Sequence, residues 1–174
     1  ISSSHVYGYS KKKIKETKRR TPQNIYGKSK KRVEDYILNN RKKFNFKVGI
    51  ARIFNSTGPK QKIGNFVPDM IYKMKKLKNI ENINQYRDFI HIDDVSRSIK
   101  CLIEKQVQNP INISSGKKVN LIKACDILNK KYVKKEMIYD LKKGMDIYGD
   151  NALLRKLGIR RFKNITQSLL SYKK

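Results

Sequence analysis

The run Phe46-Lys-Val-Gly-Ile-Ala-Arg-Ile-Phe54 is the segment that most narrows the fold. It is short, β-branched and apolar, and it is expected as a buried parallel strand that Asn55-Ser-Thr-Gly-Pro59 closes as a loop. Upstream, Pro22 stands where the first turn of a helix tolerates proline. Ile25, Val33, Tyr36, Ile37 and Leu38 follow at roughly helical spacing, marking a helix over about 22–42. Residues 1–4 open on a β-branched residue and read as a short strand, and 8–21 as a polar loop. Strand, helix, strand is the order of an α/β fold.

The pattern continues downstream. The spacing predicts a helix over residues 66–77, an extended segment at 87–92, a helix from Asp93 or Asp94 as N-cap to about Glu104, and a strand at 110–113 ending by Gly116. A helix over 120–132, a short one inside 149–158 with Gly158 at its end, and a last one over 165–172 complete the reading. At 174 residues the chain is one domain's worth of sequence.

A formal charge of +28, from 42 basic and 14 acidic residues, taken alone points to nucleic acid or an anionic surface. The lysines are spread throughout rather than gathered, so nucleic acid is not the expected partner. Two cysteines, Cys101 and Cys125, and two histidines, His5 and His91, are too few and too scattered for a tetrahedral metal site, and no metal is expected. No run of eighteen apolar residues and no secretory leader is present, which with two unpaired-looking cysteines leads to the expectation of a cytoplasmic protein away from membranes.

Chemistry enters with Tyr-x-x-x-Lys. An ammonium beside a phenol favours the phenolate, so the pair can exchange a proton near neutral pH. Spacing alone decides nothing, because Tyr7, Tyr9, Tyr26, Tyr72 and Tyr139 all have lysine four residues on. Tyr26 and Lys30 are the pair placed just inside a helix that follows a strand ending in serines, and i,i+4 spacing puts both on one face. A serine hydroxyl at that strand end could hold a substrate oxygen. Asn55, at the end of a strand, is either a donor to phosphate or sugar or an Asx turn. Arg87 is either a diphosphate clamp or the partner of Asp88 or Asp94 in an ion pair. His5 could act as an acid or base, whereas His91 reads as a core or edge residue.

Taken in order, Ser-Ser-Ser-His-Val-Tyr-Gly (2–8), Thr-Pro-Gln-Asn-Ile-Tyr-Gly-Lys-Ser-Lys (21–30), Ala-Arg-Ile-Phe-Asn-Ser-Thr-Gly-Pro (51–59) and Arg-Asp-Phe-Ile-His-Ile-Asp-Asp-Val (87–95) resemble the extended short-chain dehydrogenase/reductase family of nucleotide-sugar enzymes, the NAD-dependent epimerase/dehydratase group. Asn112-Ile-Ser-Ser-Gly116 and the Gly-Asp-Asn tail of 149–158 are similar to its later signatures. The resemblance implies the C-terminal part of a Rossmann-type doubly wound parallel sheet over 1–58 and a small α/β nucleotide-sugar-binding region over 59–174. It also implies NAD or NADP as cofactor and a nucleotide-diphospho-sugar as substrate. By that match Ser3, Tyr26 and Lys30 are catalytic. Ser2, Ile53 and Phe54, with Tyr26 and Lys30, lie along the nicotinamide and its ribose. Asn55, Asn65 and Arg87 face the diphosphate, Phe66 and Val67 the base, and Asp146 a ribose.

Within the family, 4,6-dehydratases carry an acidic residue after the serine or threonine, and here those positions are Ser4 and His5. A dehydratase is therefore disfavoured. Ile-Phe-Asn-Ser-Thr-Gly-Pro-Lys-Gln (53–61), Asn65-Phe-Val-Pro68 and the Gly-Asp-Asn tail most resemble GDP-4-keto-6-deoxy-mannose reductases, which implies a reductase, with a UDP-galactose-type 4-epimerase second. The family's Gly-x-x-Gly-x-x-Gly turn, which places a pyrophosphate on a helix N-terminus, is not among these residues. The expectation is a chain that needs an N-terminal Rossmann half in cis or in trans, has open strand edges without it, and is a homodimer when complete. The alternatives of another class are a non-catalytic fragment and a basic nucleic-acid binder.

Overall fold

The computed structural model describes residues 1–76, 79–142 and 144–172. Leu77, the expected end of one helix, lies outside them. In chain order the elements are β1 (Ser2–Ser3), α1 (Ile25–Asn40), β2 (Ala51–Ile53), β3 (Asn55–Thr57), α2 (Phe66–Lys76), β4 (Asn79–Ile80), β5 (Tyr86–Arg87), β6 (Phe89–His91), α3 (Ile92–Glu104), β7 (Ile111–Ile113), β8 (Val119–Asn120), α4 (Leu121–Leu128), β9 (Ile138–Tyr139), α5 (Ala152–Lys156) and α6 (Ile165–Leu170).

Three strands form an all-parallel sheet in the order β1, β2, β7. The sheet draws β7 from beyond residue 58, so the division expected at that residue is crossed by the main sheet. Alternation along Ala-Arg-Ile and Ile-Asn-Ile gives the sheet two unlike faces. Ala51, Ile111 and Ile113 join Val95, Cys101 and Leu102 of α3 and Leu154 of α5 in one apolar core. In register on the other face stand Ser2, Arg52 and Asn112.

That polar row dictates how α1 packs. Ile25, Val33 and Tyr36 are exposed, and the buried residues of the helix are Gly27 and Glu34. The sheet beneath offers a guanidinium and hydroxyls, so a carboxylate packs there where an apolar side chain would leave Arg52 unpaired. Glu34 accepts from Ser2 Oγ at 2.5 Å and from Arg52 Nη2 at 2.6 Å and Nε at 3.0 Å. Arg52 Nη1 donates to Tyr7 Oη at 2.8 Å, and Tyr7 donates on to Asn112 Oδ1 at 2.7 Å. Arg20 reaches Glu34 from the rim at 3.1 Å.

At Phe54 the chain changes sheets. Phe54 N–H still donates to Ile113 O, whereas Asn55 N–H donates to Asp88 O. The following three residues form β3, parallel to β6. The loop expected at 55–59 thus begins as a strand, because β6 supplies a hydrogen-bonding partner that turn-prone residues accept. The extended segment at 87–92 is broken at Asp88, and His91 caps α3 by accepting from Asp93 N–H, in place of the expected Asp93 or Asp94. The helix expected over 120–132 ends at Leu128 and widens into a π-type turn, Asn129–Val133. A second core under α2, α4 and α6 gathers Val67, Met70, Ile71, Met74, Leu128 and Leu169. Among the described residues no helix is long and apolar enough to cross a membrane.

Asp88 locks the switch point. Its buried carboxylate accepts from Ser115 N–H and Oγ, Gly116 N–H and Gly149 N–H, tying the end of β7 and the segment before α5 to the β5–β6 junction. Burial raises its pKa from 3.8 to about 6, against the lowering effect of those hydrogen bonds. A carboxyl with a raised folded pKa stabilises the fold most below its unfolded pKa and loses that contribution as pH rises through the folded value. Stability is therefore expected to gain from Asp88 as pH falls from about 6 towards 3.8. Thermal unfolding across that window should show this slope in the native chain and lose it in Asp88→Asn.

Candidate active site

β1 ends where the catalytic candidates begin. Ser3 caps a single 3-10 turn, Ser4–Val6, and its Oγ accepts from His5 N–H at 3.3 Å. Helix α1 starts beside that turn because Asn24 caps it, accepting from Gly27 N–H at 2.7 Å. Gly27 lets the two approach: a Cβ there would lie 2.4 Å from His5 O. Tyr26 is thereby brought against the serine turn, its ring edge-on to His5 with centroids 5.6 Å apart. Lys30 follows one turn later, with Nζ 5.8 Å from the Tyr26 ring centroid and 3.5 Å from Ile1 O.

A cavity of about 560 Å³ opens at this point, at the C-terminal ends of β1 and β2. The side chains expected at a nicotinamide and a sugar meet there: Ser2, Ser3, Tyr26, Ile53, Phe54, Asn55, Asn65, Phe66 and Arg87 all line it. Of the five tyrosines with lysine at i+4, Tyr26 alone does so. Tyr7 is fully buried and held by Arg52 and Asn112, with burial pushing its phenol up to about 12, and Tyr139 donates to Asp126 at 2.8 Å. Ser4, His5, Ser56 and Gly64 also line the cavity without having been expected there. Of these, His5 alone had a signal in the sequence, its place directly after the serine run.

Arg87 stands at a junction. Together with Asn55 and Phe66 it also lines a second cavity of about 560 Å³, which extends towards Met70, Lys73 and Gln85. Its guanidinium donates to Met145 O at 2.6 Å, Tyr86 O at 2.9 Å and Gln85 Oε1 at 2.9 Å. The expected alternative, an ion pair with Asp88 or Asp94, is not formed, because Asp88 is filled by four donors and Asp94 holds Arg97 and Lys163 N–H. Among the described residues Arg87 has no carboxylate within ion-pair distance, and burial lowers its pKa from the ordinary value. An anion entering the cavity would relieve that cost.

Two expected contacts are placed elsewhere. Val67 is fully buried in the core beneath α2 and does not line the cavity. Asp146 accepts from Tyr86 N–H at 3.0 Å and pairs with Lys118 at 3.3 Å, a structural tie below the cavity floor residue Arg87. Lys30 lies beside the cavity rather than in its lining.

Comparison with known proteins agrees with this arrangement. The family model described as GDP-mannose 4,6 dehydratase matches residues 1–156. The chain is 31% identical over 144 residues to dTDP-4-dehydro-6-deoxyglucose reductase of Escherichia coli, covering 79% of this chain and 46% of that protein. It is 36% identical over 121 residues to GDP-6-deoxy-D-talose 4-dehydrogenase of Aggregatibacter actinomycetemcomitans, covering 67% of this chain and 40% of that one. The structure of RMD from Pseudomonas aeruginosa complexed with NADPH superposes with a TM-score of 0.83 at 27% identity, over 98% of this chain and 63% of that one. The chain thus spans less than half the length of these two curated relatives. A Rossmann-type parallel sheet, a serine turn facing a helical Tyr-x-x-x-Lys and a family match over nearly the whole chain lead to one conclusion: the chain belongs to the extended short-chain dehydrogenase/reductase family, in its NAD-dependent epimerase/dehydratase group.

Proposed function

We propose that this chain carries the substrate side of an NAD(P)-dependent nucleotide-sugar oxidoreductase that reduces the 4-keto group of a GDP-6-deoxy-hexose. The observation that carries the reading is the shared cavity: Ser3 and Tyr26 line it together with Arg87, a half-buried guanidinium without an ion-pair partner among the described residues, at its junction with a second cavity. Hydroxyl and phenol suit a carbonyl oxygen, and an unpaired guanidinium suits a diphosphate.

Ser2, Ile53, Phe54 and Tyr26, which all line the cavity, fit the nicotinamide end of a dinucleotide by offering apolar surface and a phenol hydroxyl. A reduced nicotinamide bound there would supply hydride to the sugar carbonyl carbon. The chain's own residues supply the rest. Ser3 holds the 4-oxygen by a hydrogen bond. Tyr26 donates its phenolic proton to that oxygen as the alkoxide forms, and the Lys30 ammonium steadies the phenolate left behind. Arg87 and Asn55 take the diphosphate, and Phe66 offers a ring to the base at the entrance to the second cavity. Dehydration is disfavoured because Ser4 and His5 stand where an acidic residue would be needed.

The test is NAD(P)H consumption on adding GDP-4-keto-6-deoxy-mannose. Net oxidation supports the reductase, and interconversion of UDP-glucose and UDP-galactose without net oxidation would replace it with a 4-epimerase. Arg87→Met is expected to raise KM for the nucleotide sugar about 10–150-fold with a smaller change in kcat, the loss of a charge-assisted hydrogen bond worth about 1.5–3 kcal/mol. Steady-state kinetics check it, and an unchanged KM would remove Arg87 from the diphosphate site.

A further inference from the structure

Among the side chains lining the cavity, His5 is the ionisable one for which the proposed chemistry has no use. Its position is specific. Nδ1 lies 3.1 Å from Ser3 Oγ, and the His5 backbone N–H meets the same oxygen at 3.3 Å. A serine hydroxyl has one proton to give and two acceptor sites to fill. If the ring nitrogen is bare, the serine proton turns back to it and the cavity is offered a lone pair. If the ring nitrogen carries its proton, both acceptor sites are filled by His5 and the serine proton is left for the cavity.

We propose that His5 is a positioning residue that fixes Ser3 as a hydrogen-bond donor: its Nδ1–H and backbone N–H together occupy Ser3 Oγ and turn the serine proton towards the substrate. This rests on the reading that Ser3 meets the substrate oxygen. The consequence is selectivity for the oxidation state of the sugar. A carbonyl oxygen can only accept, so it gains fully from a fixed donor, whereas a hydroxyl also brings a proton for which Ser3 has no free acceptor site. The site is thereby set for keto sugars over the corresponding alcohols.

The surroundings keep the ring neutral, which makes the choice of nitrogen meaningful. Burial lowers the His5 pKa from 6.5, and the Arg87 guanidinium on β5 lowers it further. The other group against the ring is Tyr26 of α1, edge-on at 5.6 Å, with Tyr9 across the small adjoining pocket.

The sequence has two histidines, so ring-nitrogen NMR of the ¹⁵N-labelled chain reads His5 directly, with His91 as internal reference and as a report on folding. The expected neutral form of His5 carries its proton on Nδ1. An Nδ1–H bond to oxygen strengthens when the ring is cationic, so its loss in Ser3→Ala should lower the His5 protonation midpoint by about half to one pH unit, the equivalent of a hydrogen bond worth about 0.5–1.5 kcal/mol. His91 should not move. A proton on Nε2, or a His5 midpoint that stays or rises in Ser3→Ala, would overturn the proposal. In turnover, His5→Asn places an amide donor where Nδ1 stood and should keep KM for the keto sugar nucleotide within about threefold, whereas His5→Gln reaches past Ser3 and should raise it about tenfold, the worth of one hydrogen bond. Equal effects of the two variants would also count against it. The NMR arm uses no ligand, so a failure of the keto sugar to bind would strike the proposed function and leave the His5–Ser3 result standing by itself.

Discussion

Glu34→Gln is expected to lower the unfolding free energy by about 3–5 kcal/mol, the cost of leaving a buried charge without its partner. Both members of the pair are almost wholly enclosed, with side chains 2% and 3% exposed, and Arg52 makes bidentate contact with the carboxylate. Desolvation works against the Arg52 charge, yet the hydrogen bonds it donates to Glu34 and Tyr7 outweigh it and hold the pKa above its ordinary value. A glutamine keeps the shape and loses the charge, so the guanidinium stays buried with neutral acceptors alone: the new amide oxygen, Tyr7 and the Glu16 carbonyl. For a domain of this size the loss corresponds to a drop of roughly 6–20 °C in Tm. Replacing both members, Glu34→Gln with Arg52→Met, should recover part of the loss, because no unpaired charge then remains. Chemical denaturation of the three variants checks both statements. A single variant within 1 kcal/mol of the parent would mean that water reaches Arg52.

Tyr26→Phe should lower kcat about 10²–10⁴-fold while KM for the nucleotide sugar changes little, the range for removing a positioned general acid. The side chain is half exposed at the cavity mouth and makes no hydrogen bond through its hydroxyl among the described residues, so phenylalanine should leave folding intact. That separation makes the result interpretable: the lost oxygen is the α1 group that lines the cavity and can hand a proton to the new alkoxide. Unfolding midpoints measured beside the rates would separate the two effects. Full activity in Tyr26→Phe would move the acid to another residue, and His5 would be the first to examine.

The main strands and helices were legible from β-branched runs and helical spacing, but the two-residue strands β4, β8 and β9 and the asparagine caps of α1, α4 and α6 were not. Asn24, Asn120 and Asn164 each accept from the first turn of the helix they precede. The inward face of α1 was not legible. Its apolar residues mark a helix, yet the buried ones are Gly27 and Glu34, because the sheet row beneath consists of Ser2, Arg52 and Asn112. Alternation in Ala-Arg-Ile and Ile-Asn-Ile hints at a polar centre, but its partners lie 18 and 105 residues apart in sequence from the groups they hold. Family position brought most of the candidate site together, since strand ends converge at the switch between β2 and β3. It says less of Val67, whose side chain packs in the core, and of Asp146, which holds Tyr86 N–H and Lys118, because a position near a ligand does not fix the direction of a side chain. Spacing alone cannot choose among five Tyr-x-x-x-Lys pairs; the place of Tyr26 after the serine strand does, and among the five it is the one that lines the cavity.

Transfer of a deuterium label from the reduced nicotinamide to the sugar carbon tests the central claim most directly. The protein is supplied with NADPH labelled at the hydride position and a GDP-4-keto-6-deoxy-hexose, and the product is read by mass spectrometry. The account predicts label at C4 of the sugar, formed when this chain is supplied with the cofactor-binding Rossmann half in cis or in trans, and strongly reduced in Tyr26→Phe. A product without label, or labelled product formed equally by Tyr26→Phe, would contradict it.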